Sequence, residues 1–288
     1  MPAQSQGRQM KRREFIALIG GVAVARPHAA VAQQSAPVIG YLNGASAAEF
    51  THLLSGFQKG LAEAGFAEGR NLKIEYRYAD GHYDRLPTLV ADLVNRKVSV
   101  IIATAGTPTI AAAKAATSSI PIVFVIGGDP VGFGFVASLN RPGGNITGIT
   151  LFAIELATKR LELLLELAPS ANIIGVLANP VNPITEPQLR DFQVAAQKLG
   201  RQLIVSKASA DADFAAVPTT LDHVDALVVA ADPFFDDRRS QIVSLVARLK
   251  VPACYVRHEF VRDGGLISYG ADAPDAFRQA GIYTGRIS

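Results

Sequence analysis

Apolar residues fall along the chain in two rhythms that take turns, and their order predicts an α/β fold. Residues 38–42 make a short apolar run of buried-strand type. Residues 49–64 follow with helical spacing, Leu53, Leu54, Phe57 and Leu61 sharing one face, and Gly65 stops the helix. Residues 72–78 alternate as a strand and 83–96 return to helical spacing. A second buried-strand run covers 98–103, a helix 109–116 and a further strand 122–126. Strands separated by single helices imply a parallel sheet with helices on both faces.

The same order then recurs. Ile173-Ile174-Gly175-Val176-Leu177 echoes Val38-Ile39-Gly40-Tyr41-Leu42, and Gly200 follows Gly175 at the spacing by which Gly65 follows Gly40. Residues 224–229 match 98–103, and Val251-Pro252 matches Ile120-Pro121, each pair opening a strand. The offsets, 135 residues at the first match and 131 at the last, are nearly constant. Two similar Rossmann-like lobes with parallel sheets follow from this. Arg141-Pro142-Gly143-Gly144-Asn145 is a turn signal before a short strand at 146–150, and a second short strand at 266–269 precedes a final helix opened by Asp272-Ala273-Pro274. The expected division is 1–32 as a leader, 37–147 plus 271–288 as lobe one, and 148–270 as lobe two. More than one crossing between lobes suits hinge closure around a ligand.

Charge alters the picture at the N-terminus. The chain carries a net charge of +3, but residues 1–32 hold five bases against one acid, and without them the net is −1. The body therefore has no basic stripe for a phosphate backbone, and no nucleic-acid partner is expected. Within the leader, Lys11-Arg12-Arg13-Glu14-Phe15-Ile16 is a twin-arginine pattern ahead of an apolar run at 16–25. Ala30-Val31-Ala32 supplies the small-residue exit, so export to the periplasm with cleavage near Ala32 is expected. The run is too short to span a bilayer as a helix. Met10 directly precedes the basic cluster and is an alternative start. With 49% hydrophobic and 18% charged residues, disorder is excluded for the body.

In open parallel sheets, ligands bind beyond the carboxyl ends of the strands. In lobe one those positions hold Asn43 and Ser46, then Thr104, Gly106 and Thr107, then Asp129; in lobe two they hold Asn182, Asp232 and Glu259, with Tyr269 near the return. The Thr104–Thr107 turn suits a carboxylate at a helix N-terminus, and Asp232 or Glu259 suits an ammonium. Tyr41, Phe152, Phe234 or Tyr269 are candidates to cover an apolar ligand group. Each residue also has a purely structural reading. Asn43 and Asn179 cap helices as readily as they bind, Asp129 and Asp232 fix Asp-Pro turns, and Phe152 and Phe234 serve a core. Cys254, the sole cysteine, lies in a strand-like run and reads as a buried, inert thiol. No metal-ligand spacing, nucleophile elbow or phosphate loop is found, so no catalytic residue, metal or cofactor is assigned.

Taken together, these segments resemble the ABC-transporter substrate-binding proteins of the tryptophan/tyrosine-binding type. The matching residues are Arg12–Ile16, Val38–Leu42, Thr104–Pro108, Gly128–Val131, Arg141–Gly148, Asn179–Pro183 and Gly264–Gly270. Family members usually continue past the last helix with a further strand and helix. The resemblance implies a type I periplasmic-binding-protein fold, capture of a small molecule and delivery to a membrane permease. The expectation is therefore a monomeric binder of an amino acid, aromatic ones favoured, that catalyses no reaction. Its rivals are a ligand-sensing domain of the same fold and a two-lobed α/β enzyme.

Overall fold

A computed structural model describes residues 36–288, which form one compact unit. The expected leader, its cleavage site and the alternative start lie outside the described residues. Two five-stranded parallel sheets carry the fold. The first contains β1 (Val38–Asn43), β2 (Lys73–Tyr78), β3 (Val100–Thr104), β4 (Ile122–Ile126) and β5 (Ile146–Thr150), in the order β2-β1-β3-β4-β5. The second contains β6 (Ile173–Ala178), β7 (Gln202–Lys207), β8 (Ala226–Val229), β9 (Ala253–Tyr255) and β10 (Ile267–Ser268), in the order β7-β6-β8-β9-β10. The two orders are the same one repeated, which is what the recurring sequence pattern implied.

Helices cover both faces of each sheet because a parallel strand can be reached only by a crossover. In lobe one, α1 (Ala47–Glu63) packs one face, while α2 (Leu86–Asn95) and α3 (Thr107–Ala116) pack the other. In lobe two, α4 (Ala157–Leu167) and α5 (Thr185–Lys198) take one face. The other face is covered by the short α6 (Val217–Thr220), α7 (Pro233–Asp237), α8 (Arg239–Leu249) and α9 (His258–Arg262). The repeat extends to single atoms. A Cβ on Gly40 would lie 3.0 Å from Leu93 and 3.2 Å from Val98, and one on Gly175 3.2 Å from Leu221 and 3.3 Å from Val224. Each glycine lets the following layer settle directly on the first strand of its sheet.

The strand at 146–150 pairs with β4 over its whole length, from Ile122↔Ile146 to Ile126↔Thr150. The division expected between 147 and 148 therefore falls inside a strand of the first sheet, and the chain crosses after Thr150. It returns after Ser268 to the last helix, α10 (Ala273–Ile287), which packs along α1. That helix begins at 273 and completes the first lobe's core through Phe277 and Ala280.

Both crossings are tied by one side chain. Arg160 of α4 is fully buried. Its Nη2 donates to the Ala153 carbonyl at 2.6 Å and its Nη1 to the Tyr269 carbonyl at 3.4 Å, one from each crossing. Its guanidinium lies 5.8 Å from the centre of the Phe192 ring. Burial lowers its pKa to about 10, so it stays cationic at neutral pH.

Candidate functional site

The lobes meet along the carboxyl ends of their strands. A small apolar cluster of Ala153, Ile184 and Ala231, with Phe133, Ile154 and Val256 against it, joins them. Ile184 of lobe two comes so near the Gly127-Gly128 turn of lobe one that a Cβ on Gly128 would sit 3.1 Å from it. Beside this contact lies a cavity of about 70 Å³ walled by both lobes.

On the lobe-one side, the cavity is bounded by Ala105, Gly106 and Thr107, where β3 turns into α3. Ala105 has φ +60° and Gly106 φ +114°, a left-handed pair that only glycine adopts without strain at the second position. The turn sets the first N–H groups of a ten-residue helix at the cavity, where the helix dipole favours negative charge. The Thr107 hydroxyl is buried there without a hydrogen-bond partner. A buried hydroxyl left unpaired costs about 1–3 kcal/mol, a cost a ligand atom would remove.

On the lobe-two side stands Asp232, just past β8 and at the N-cap of α7. Its carboxylate accepts from Asn179 Nδ2 at 3.1 Å, Asn182 Nδ2 at 2.6 Å and the Phe234 N–H at 2.8 Å. The strand end that carries it is braced by Gln188, whose side-chain amide donates to the Ala231 carbonyl (3.1 Å) and accepts from the Ala231 N–H (2.8 Å). Burial raises the Asp232 carboxyl to a pKa of about 6, with Asp236 adding to the rise, against the lowering effect of its three donors. Among the described residues no cation pairs with it. Facing Asp232 from lobe one is the Tyr83 phenol, whose own pKa is raised by burial and by Asp232 and Asp237.

The repeat makes this carboxylate stand out. In lobe one, Asn43 at the end of β1 holds Thr104 at the end of β3, Nδ2 to Oγ1 at 3.1 Å. In lobe two, Asn179 beyond β6 holds Asp232 beyond β8 in the corresponding way. Lobe one closes its pair with a neutral hydroxyl, whereas lobe two leaves a charge.

Four of the sequence candidates line the cavity: Gly106, Thr107, Asn182 and Asp232. The others do not. Asn43 and Thr104 are buried beneath it, bonded to each other, with Asn43 Oδ1 also accepting from the Ala45 N–H. Ser46 sits half-buried at the N-cap of α1 without a side-chain capping bond. Asp129 is exposed and closes its own turn onto the Val131 N–H. Glu259 borders a smaller neighbouring cavity, where its Oε1 lies 2.8 Å from His52 Nε2. Tyr269 is exposed, and only its backbone is engaged: its carbonyl accepts from Arg160 and its N–H donates to the Tyr255 carbonyl at 2.9 Å.

The proposed apolar covers lie elsewhere too. Tyr41 is in the first core, Phe152 faces solvent, and Phe234 stacks on Phe214 at 5.8 Å. The cavity's apolar wall comes instead from Phe50, Val125, Leu151, Ile184, Val256 and Phe277. Sequence reasoning also missed Asp236 and Arg257, both in the wall. Asp236 follows Asp232 by one turn of α7, a spacing visible only once a helix is assigned after Pro233. Among the described residues, no group of His, Cys, Asp and Glu is arranged to hold a metal ion, and no helix is long and apolar enough to cross a membrane. Cys254 is buried, as expected, and burial lifts its thiol to a pKa of about 11.

Two α/β lobes around a cleft walled by both are the arrangement of a solute-binding class of protein. Residues 40–287 match the family model of ABC transporter substrate binding proteins, and the chain belongs to that family. A tyrosine-binding protein of Clostridioides difficile is 29% identical over 219 residues, 75% of this chain; the chain spans 62% of that relative's length. Among solved structures, a conserved domain protein of Vibrio cholerae superposes with a TM-score of 0.81 at 25% identity, covering 88% of this chain and 84% of its own. A Streptococcus pneumonia domain in complex with L-Trp gives 0.77 at 25% identity, with 88% and 85% covered. A ligand-free, open substrate-binding protein of Clostridium difficile gives 0.62 at the same identity, with 87% and 84% covered. The architecture is the type I periplasmic-binding-protein fold.

Proposed function

We propose that this chain is the exported solute-binding component of an ABC importer, catching an α-amino acid between its lobes and presenting it to a membrane permease. The observation that carries the reading is the Asp232 carboxylate, buried in a cleft without a cation, opposite a helix N-terminus with an unpaired Thr107 hydroxyl. An α-amino acid supplies the two missing charges a short distance apart. Its ammonium would pair with Asp232 beside Asn182, and its carboxylate would take the Gly106 and Thr107 N–H groups and the Thr107 hydroxyl. Asn43 and Thr104 support that turn from below.

The apolar wall would take the side chain, and an aromatic one is favoured, in keeping with the tyrosine-binding relative and the L-Trp complex. Closure follows if the ligand touches both lobes at once, because only then does it bind the closed state better than the open. The twin-arginine leader supports export to the periplasm, where the mature chain would act as a monomer. Calorimetry with a panel of amino acids tests the reading. Micromolar or tighter binding of at least one aromatic member is expected, and no binding of any amino acid would remove it.

A further inference from the structure

The far wall of the same cleft carries a charge pair that the α-amino and α-carboxylate groups leave unused. Arg257 Nε donates to Asp236 Oδ2 at 2.6 Å, and both side chains are largely buried. Beyond that bond, the two terminal amino groups of Arg257 have no hydrogen-bond acceptor among the described residues. Phe50, Asp236 and Arg257 line both the main cleft and the smaller cavity next to it, so they form the partition that ends the main cleft. The Asp236 N–H donates to the Asp232 carbonyl at 3.1 Å, so the two acids stand one helical turn apart along α7.

We propose that Asp236 and Arg257 together read a hydroxyl at the far end of the ligand side chain, so that a phenolic amino acid is chosen over its phenyl counterpart. The inference rests on the amino-acid reading of the cleft and adds its specificity. The two groups neutralise each other, so a second charge on the ligand gains little: a carboxylate meets Asp236, and an ammonium meets Arg257. A neutral group that accepts from the guanidinium and donates to the carboxylate satisfies both. Val125, Leu151, Ile184 and Val256 lie in the same wall and would flank the ring. A site built to hydrogen-bond a hydroxyl discriminates against the ligand that lacks it, because its own polar groups are then left unpaired.

The test is calorimetry of the mature protein with tyrosine, phenylalanine and glutamate. Tyrosine is expected to bind at least tenfold tighter than phenylalanine, and glutamate more weakly than either. In the double variant Asp236→Leu/Arg257→Met, which leaves neither charge orphaned, the tyrosine-to-phenylalanine ratio should fall to about one while phenylalanine still binds. Equal binding of tyrosine and phenylalanine to the unmodified protein, a ratio that survives in the double variant, or a preference for glutamate would each overturn this inference alone. Binding of no amino acid would overturn it together with the proposed function.

Discussion

Ligand binding should be coupled to the protonation of Asp232. The carboxyl is buried against two asparagine amides and one N–H, and its pKa stands at about 6 instead of 3.8. A rise of about two units favours the neutral form by roughly 3 kcal/mol. An ammonium at Asp232 would reverse that preference and bring the pKa below 4, so the ligand binds the ionised form. With a single group of pKa about 6 in the free protein, the dissociation constant should be roughly tenfold weaker at pH 5 than at pH 7, and level above pH 7. Near pH 6, about half a proton should leave per ligand bound. Tyrosine, tryptophan and phenylalanine have no group of their own that titrates between pH 5 and 8, so with these ligands the effect belongs to the protein. Calorimetry at pH 6 in two buffers of different ionisation enthalpy measures the released proton directly. Equal heats in both buffers, or a constant affinity from pH 5 to 8, would refute the assignment of Asp232 as the ammonium partner. The sign for stability runs the other way. The native state holds this proton more tightly than the unfolded chain, so this group's contribution to ligand-free stability falls as pH rises from about 4 to about 6. Ligand should therefore raise the melting temperature more at pH 7 than at pH 5.

Other perturbations address the frame around that carboxylate. Gly128→Val puts a Cβ 2.7 Å from Phe133 and 3.1 Å from Ile184, wedging the two lobes apart; affinity should drop at least tenfold while the melting temperature of the free protein moves little, and small-angle scattering should show no compaction on adding ligand. Gln188→Leu strands the buried N–H and carbonyl of Ala231, at a cost of about 2–4 kcal/mol, and should weaken binding as the Asp232 turn loosens; denaturant unfolding and calorimetry read the two effects. Gly281→Ala brings a Cβ to 2.1 Å from the Phe57 carbonyl across the α1–α10 contact, forcing backbone apart; the melting temperature should fall by on the order of 10 °C, read by circular dichroism.

Much of the fold was legible because parallel strands buried on both faces leave apolar runs that cannot be hidden. Residues 122–126 and 146–150 emerge with the bounds the pattern implied, and the recurrence of Gly40 as Gly175 disclosed the second sheet. Sheet membership was less legible. The 146–150 strand follows a strong turn and looks like a connector, yet it pairs with β4, a long-range choice that no local signal records. The site was legible to the level of strand ends. Within each strand end, the sequence could not tell a side chain facing the cleft from one facing inward: Thr104 and Thr107 are three residues apart, and only the second reaches the cavity. The left-handed turn at Ala105-Gly106 separates them. Arg257 and Asp236 were hidden for another reason, since an ion pair 21 residues apart in sequence is made by tertiary packing.

The last helix has a consequence for how the chain matures. Phe277 and Ala280 of α10 close the hydrophobic face that Phe50, Phe57 and Leu61 of α1 present, and Gly60 and Gly281 let the two backbones touch. A ribosome finishes α1 more than two hundred residues before it makes Gly281. The first lobe emerges with an uncovered greasy flank and can seal it only after the whole second lobe has been synthesised. Its birth is therefore discontinuous, and a helper that shields that flank during synthesis or transit would act on the stretch around Phe50 and Phe57.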